Sequence, residues 1–172
     1  MYVEAIFFSL IIGWIRGGKI RRFKNIINWT IWLLVLGVLL QYILTYLGKT
    51  EEMEVISKLL EYSKGIEIFS YILILIGILT NIRFRSFWPV LFGYLLNFIV
   101  LMANSWQRPN LLYNPITSET KLPFLGDIIL FSEPYPLPKI ISLGDLIIAF
   151  GIFSLIQEIM LGEDSIMGGY RL

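Results

Sequence analysis

Apolar residues come in five blocks along the chain, separated by polar intervals of very different character. The blocks run over residues 2–15, 26–47, 66–82, 86–103 and 144–161. Charge inside them is confined to Glu4, Glu67, Asp145 and Glu158. Each is long for a strand and close to the roughly 20 residues, with a range of about 17 to 25, that cross a hydrocarbon layer as a helix. The first block is the shortest. It lacks the leading positive charge of a secretory signal, since Glu4 precedes its core and "RGGKIRRFK" follows. The pattern therefore predicts a retained helix, closed by Gly17 and Gly18 as left-handed caps.

The polar intervals predict a direction for each block. The first holds Arg16, Lys19, Arg21, Arg22 and Lys24 without an acid, and the third holds Arg83 and Arg85, again unopposed. The second mixes Lys49, Lys58 and Lys64 with Glu51, Glu52, Glu54 and Glu61. Lysine and arginine gather in cytoplasmic loops. Five spans then place the N-terminus outside and the C-terminus in the cytoplasm. Within the second interval, Thr50 and the acids behind it suit a helix start, and Met53, Ile56, Leu59 and Leu60 share one face. An amphipathic helix over 50–63, lying on the outer interface, is the expected element. The last interval, 104–138, carries six of the seven prolines together with Trp106, Tyr113, Phe124, Phe131 and Tyr135. Its composition predicts an ordered outer loop acting as a lid or a docking surface. Its "DIILF" run is too short to cross.

Composition narrows the class. The chain is 56% hydrophobic and 16% charged over 172 residues, more apolar surface than one soluble core of that size can hide. The expected fold is an all-α polytopic membrane bundle of about five helices, a single integral membrane domain over 1–172. A net charge of +1 gives no field that would gather nucleic acid. The expected partners are membrane lipids and other membrane subunits. Neither cysteine nor histidine occurs. Disulfides, thiolate metal sites, His-ligated zinc or haem and Ser-His-Asp chemistry all need one of these side chains. No phosphate loop or dinucleotide fingerprint is present, Gly168-Gly169 alone being uninformative. No cofactor is expected.

Four stretches carry a resemblance. The turn "RGGK", the segment "MANSWQRPN", then "FLGD" and "SLGDLIIAFGIF" together resemble a family of small multi-pass bacterial membrane proteins of unknown function. The ordered pair Leu-Gly-Asp then Ser-Leu-Gly-Asp is its most specific part. The resemblance implies a bacterial cytoplasmic membrane and no particular activity. It also implies Asn-Gly-Gly and then Met-Pro near the end of the fourth helix. Here Asn104 and Pro109 stand in that pattern, with Ser105, Trp106 and Arg108 in place of the glycines and methionine.

Three readings compete for the aspartates. Ser142 and Asp145 stand three apart at the start of an apolar helix, the spacing of a capping box. A carboxylate there also suits the positive end of the helix dipole. Alternatively, Leu-Gly-Asp resembles part of the Gly-x-Gly-Asp signature of intramembrane aspartyl proteases, in which two carboxylates share a proton. Asp127 and Asp145 would then be catalytic. Thirdly, Glu4, Glu67, Asp127 and Asp145, with Gln41 and Asn97, fall near the outer boundary. Asn97, Asn104, Arg108, Asp127 and Asp145 are the expected contacts of an outer-mouth ligand or partner. Trp29, Trp32, Trp88 and Trp106 fit interfacial anchors. Glu158, beside Gln157, falls at the cytoplasmic end of the last helix. The leading expectation is a non-catalytic accessory or scaffold subunit, or a binder using its outer mouth. The alternative is an aspartyl hydrolase.

Overall fold

Each apolar block is helical in the computed structural model, which describes residues 1–25, 27–47, 63–112, 115–135 and 138–162. The helices are α1 (Tyr2–Ile15), α2 (Trp29–Leu47), α3 (Ser63–Thr80), α4 (Phe87–Ala103) and α5 (Leu143–Leu161). The amphipathic helix expected over 50–63 lies outside the described residues, apart from Ser63. Among the described helices, α5 alone is long and apolar enough to cross a membrane by length and composition, while α1 and α4 fall short. The fold is mostly rather than purely helical. Inside the proline-rich interval, β1 (Ile129–Phe131) pairs antiparallel with β2 (Lys139–Ile141), setting Leu130 opposite Ile140. The "DIILF" run thus forms a hairpin strand, as its β-branched and aromatic residues favour.

The chain divides into two compact units, Arg22–Arg83 and Met1–Arg21 with Phe84–Leu172. In the first, α2 and α3 run antiparallel at close approach. A Cβ on Gly37 would meet Ile74 Cγ1 at 2.6 Å, and one on Gly77 would meet Leu34 Cβ at 2.7 Å. Helix α2 starts at Trp29 rather than at Ile26 because Asn28 caps it. The Asn28 Oδ1 accepts from the Ile31 N–H at 3.1 Å and from the Thr30 hydroxyl at 2.7 Å. Asn81 closes the other side, donating to Thr30 Oγ1 and to the Gly77 carbonyl, each at 2.8 Å.

In the second unit α5 is the central helix, with α1 parallel to it and α4 antiparallel. Contacts between α1 and α5 advance together along both. Tyr2 meets Asp145, Ser9 donates to the Phe153 carbonyl at 2.7 Å, and the buried Gln157 donates to the Ser9 carbonyl at 2.6 Å. Arg16 then donates to Gln157 Oε1 at 3.2 Å. Against α4, a Cβ on Gly93 would lie 2.5 Å from the Gly144 carbonyl oxygen, and one on Gly151 2.6 Å from Val90 Cγ2. The two backbones therefore touch. Near the start of α4, the buried Glu158 of α5 accepts the N–H groups of Arg85 and Ser86 at 3.2 and 3.0 Å. The Ser86 N–H is a donor that a helix start leaves open, and Ser86 itself supplies no side-chain cap.

Only the first glycine of "RGGK" is left-handed, which corrects the expectation for the pair. Gly17 has φ +79°, and it donates to the Trp14 carbonyl at 2.9 Å while Gly18 donates to that of Gly13 at 2.8 Å. That is a Schellman closure. Gly18 is there for space, since a Cβ would sit 2.8 Å from that of Met160, and Lys19 N–H bonds the Met160 carbonyl at 2.9 Å. Helix α4 ends in a related way, with Trp106 N–H on the Leu101 carbonyl at 2.8 Å and Ser105 and Trp106 at φ +56° and +68°. The backbone keeps the form that glycine favours at the two positions where the family resemblance implies glycine. Trp106 packs edge-on against Phe98, with centroids 6.1 Å apart. Ser105→Gly should therefore raise stability by about 0.5–1 kcal/mol, since left-handed backbone costs a Cβ-bearing residue. Thermal unfolding in detergent, compared with the parent, measures it.

Candidate functional site

The site is built at the N-terminus of α5. Ser142 Oγ accepts the Asp145 N–H at 3.0 Å, and Asp145 Oδ2 accepts the Ser142 N–H at 3.3 Å, which together make a capping box. The same aspartate reaches two other helices. Its Oδ1 accepts from Asn97 Nδ2 at 2.8 Å and from the Tyr2 hydroxyl at 2.6 Å. Asn97 is buried, and its Oδ1 accepts from the Ser142 hydroxyl at 2.8 Å. Residue 144 must be glycine for this to close, because a Cβ there would fall 2.1 Å from Asn97 Oδ1. Leu-Gly-Asp at this place is a helix start that admits a neighbour's asparagine.

The earlier Leu-Gly-Asp repeats the arrangement on a loop. Leu125 closes a 3-10 turn, Pro123–Leu125, and a Cβ on Gly126 would meet the Pro109 carbonyl oxygen at 2.8 Å. Asp127 N–H donates to that carbonyl at 2.9 Å, and the Leu111 N–H returns a bond to the Asp127 carbonyl at 3.3 Å. Asn110 Nδ2 donates to Asp127 Oδ2 at 3.2 Å. In both copies a glycine admits a neighbouring strand of chain and an asparagine from it binds the aspartate. Arg108 joins the two, its Nη1 lying 3.5 Å from Asp127 Oδ1 and 3.8 Å from Asp145 Oδ2.

Asn97, Arg108, Asp127, Ser142 and Asp145 thus meet in one polar cluster. Asn104 does not join it. Its Nδ2 donates to the Val100 and Lys121 carbonyls at 2.9 and 2.8 Å, and its Oδ1 accepts the Lys121 N–H at 2.9 Å, clamping the loop to the end of α4. Beside this clamp lies an open cleft of about 470 Å³ that includes Gln107, Pro109, Thr117 and Glu119. Gln41 and Glu67 belong to the other unit. Two participants carry no signal in the sequence pattern, Tyr2 and Asn110. Glu4, one of the expected outer carboxylates, pairs with Lys139, and Tyr135 joins by donating to Glu4 at 3.1 Å. A lone tyrosine or asparagine in apolar or proline-rich sequence has no spacing that marks it, and Lys139 finds Glu4 only once the hairpin folds back on α1. Among the described residues no group of three or more histidine, cysteine or acidic side chains could hold a metal ion.

Electrostatics separate the carboxylates outside the helices from their surroundings. Burial pushes the Asp127 carboxyl above its ordinary range, Arg108 works against that shift, and the Asp145 charge adds to it. Burial works against the charge on Lys139, but Glu4 outweighs it and holds the ammonium above its usual pKa. For Asp127 the sign follows directly. A carboxyl whose folded pKa exceeds its unfolded value contributes stability in full below the unfolded value and loses it as pH rises through the folded one. Asp127→Asn has no such loss. Its thermal midpoint should therefore gain on the parent's as pH rises from about 4 to 7. A difference that shrinks over that range would contradict the assignment.

Comparison with known proteins gives one match. A model of a family of unknown function, DUF5317, fits residues 25–110 and 107–157. No curated protein and no solved structure matches the chain.

Proposed function

The chain belongs to the DUF5317 family of unknown function, and we propose that it is a five-span protein of the bacterial cytoplasmic membrane acting without catalysis, as an accessory or scaffold subunit of a larger membrane assembly. The N-terminus and the loop 104–138 would lie outside, the basic turns and the C-terminus in the cytoplasm. Two observations support the membrane reading. Large apolar side chains face outward on all five helices, among them Val3, Trp14, Trp29 and Tyr42 at 70% exposure or more. A water-soluble surface rarely carries so many together. Helix directions also fit alternate crossings, since α1 and α5 run parallel while α4 opposes α5 and α2 opposes α3. The 14 residues of α1 rise only about 21 Å against a hydrocarbon layer of roughly 30 Å. Local thinning and snorkelling of Arg16 and Lys19 would make up the difference.

The observation that carries the non-catalytic reading is the position of Arg108. Each carboxylate of the cluster already serves the fold. Asp145 caps α5 and binds Asn97 and Tyr2, Asp127 is held by Asn110, and one guanidinium faces both. An aspartyl dyad needs two carboxyls that share a proton and hold a water. Here one guanidinium instead faces both, at 3.5 Å from Asp127 and 3.8 Å from Asp145. The hydrolase is therefore the second reading, and Asp127 with Asp145 would be its catalytic pair. The cleft beside Asn104 gives a small polar ligand a place to bind at the outer end. Native mass spectrometry of protein extracted gently from its own membranes tests the function. A stoichiometric membrane protein partner is expected, and a lone chain carrying a small ligand would favour the binder. The absence of cysteine lets single cysteines report topology. Ser118→Cys should react with an impermeant maleimide in whole cells, and Arg21→Cys only after lysis.

A further inference from the structure

The proline-rich interval carries large apolar side chains that its own core does not cover. Leu111, Leu112, Phe124 and Leu130 are exposed, as is Leu143 in the first turn of α5. They do not sit at a distant loop tip. Leu111 follows Asn110 and donates its N–H to the Asp127 carbonyl, so it belongs to the polar cluster at the start of α5. Phe124 lies in the 3-10 turn that ends one residue before Gly126 and Asp127. Leu130 pairs opposite Ile140, two residues before the Ser142 cap. Alternation in the hairpin sends Ile129, Phe131, Lys139 and Ile141 to the opposite face, where Ile141 is buried and Lys139 meets Glu4 of α1. One hairpin face is thus fastened to the helices and the other, apolar, faces away.

Depth says what covers that face. Helix α5 has 19 residues, a rise of about 28 Å, against roughly 30 Å of hydrocarbon. A helix that only just spans places its N-cap at the boundary between acyl chains and headgroups. Every one of these exposed residues is tied to that N-cap within a few residues, by Arg108, by the Asp127 backbone or by direct continuation of β2. The last turns of α4 also expose Ile99 and Met102. On the five-span reading, on which this inference rests, we propose that Leu111, Leu112, Phe124 and Leu130 form a collar that rests in the outer leaflet and is covered by phospholipid. The outer loop would then be a membrane-seated collar around the start of α5, not a lid standing in water.

The test uses the full-length protein in phosphatidylcholine proteoliposomes, with single cysteines carrying an environment-sensitive fluorophore. Leu112→Cys and Leu130→Cys probe the collar, Ser118→Cys the polar part of the same loop, and Phe92→Cys the outward face of α4. Lipids bearing a nitroxide near the glycerol end serve as quenchers. The collar sites should be quenched severalfold more strongly than Ser118→Cys, and their emission should be blue-shifted. Quenching at Phe92→Cys with none at either collar site would overturn the collar and leave the span reading standing, pointing to a protein partner on this face. Loss of quenching at Phe92→Cys as well would remove the five-span reading itself. Collar signals that change with protein-to-lipid ratio would mean that a second copy covers the face, and would also overturn the proposal. Two collar positions guard against one variant failing to fold.

Discussion

A helix start leaves backbone N–H groups without partners, and the unit around α5 is organised by how two such starts are satisfied. Helix α5 supplies its own cap through Ser142 and Asp145, then hands the remaining oxygen of Asp145 to Asn97 on α4 and Tyr2 on α1. Helix α4 has no side-chain cap of its own, and Glu158 of α5 accepts N–H groups at its start. Helix α5 thus completes the start of α4, and Asn97 of α4 braces the cap of α5. Where water is scarce, leaving such donors open costs several kcal/mol each. Glycine contacts at Gly93, Gly144 and Gly151 let the two backbones come close enough for both ends to be reached. Sliding α4 along α5 by one turn, about 5.4 Å, would break both at once.

The two Leu-Gly-Asp segments are one device used twice. In each, glycine removes the atom that would block a neighbouring backbone or side chain, and the aspartate receives an asparagine from that neighbour. Asn97 arrives on a helix and Asn110 on a loop. Arg108 faces both carboxylates and so couples the loop to the helix start. The segment "MANSWQRPN" supplies the clamp Asn104, the cation Arg108, the packing partner Pro109 and the donor Asn110. Apart from "RGGK", which closes α1 beside Met160 at the other end of α5, the motifs that stand out in the chain are thus parts of a single joint.

Much of this was legible, and the reason is the strength of apolar patterning in long segments. The five helices follow from blocks of near-spanning length, and their ends were set by local caps that patterning cannot see. Asn28 moves the start of α2 to Trp29. The box at Ser142 could be read because both of its members lie within one turn. Contacts across the fold could not be read. Nothing at Tyr2 marks it for Asp145, and nothing at Glu158 marks it for the start of α4. The hairpin was hidden by brevity, since three-residue strands are too short to show alternation among prolines. Gly18 was misread because a glycine needed for space and one needed for a left-handed turn look alike in a sequence.

The pairing of α1 with α5 bears on how the chain is made. Residues at one end bond residues at the other: Tyr2 to Asp145, Ser9 to Gln157, and the Lys19 N–H to the Met160 carbonyl. Ribosomes deliver the chain from its N-terminus at about 5–20 residues per second. Helix α1 therefore emerges well before α5, which carries its partners. The α2–α3 hairpin, whose contacts are local, can assemble during that interval. Until α5 arrives, the Ser9 hydroxyl and the Lys19 N–H must find temporary partners. The unit around α5 therefore closes only once α5 has been made, and a chain truncated before Asp145 would leave α1 without a place to dock.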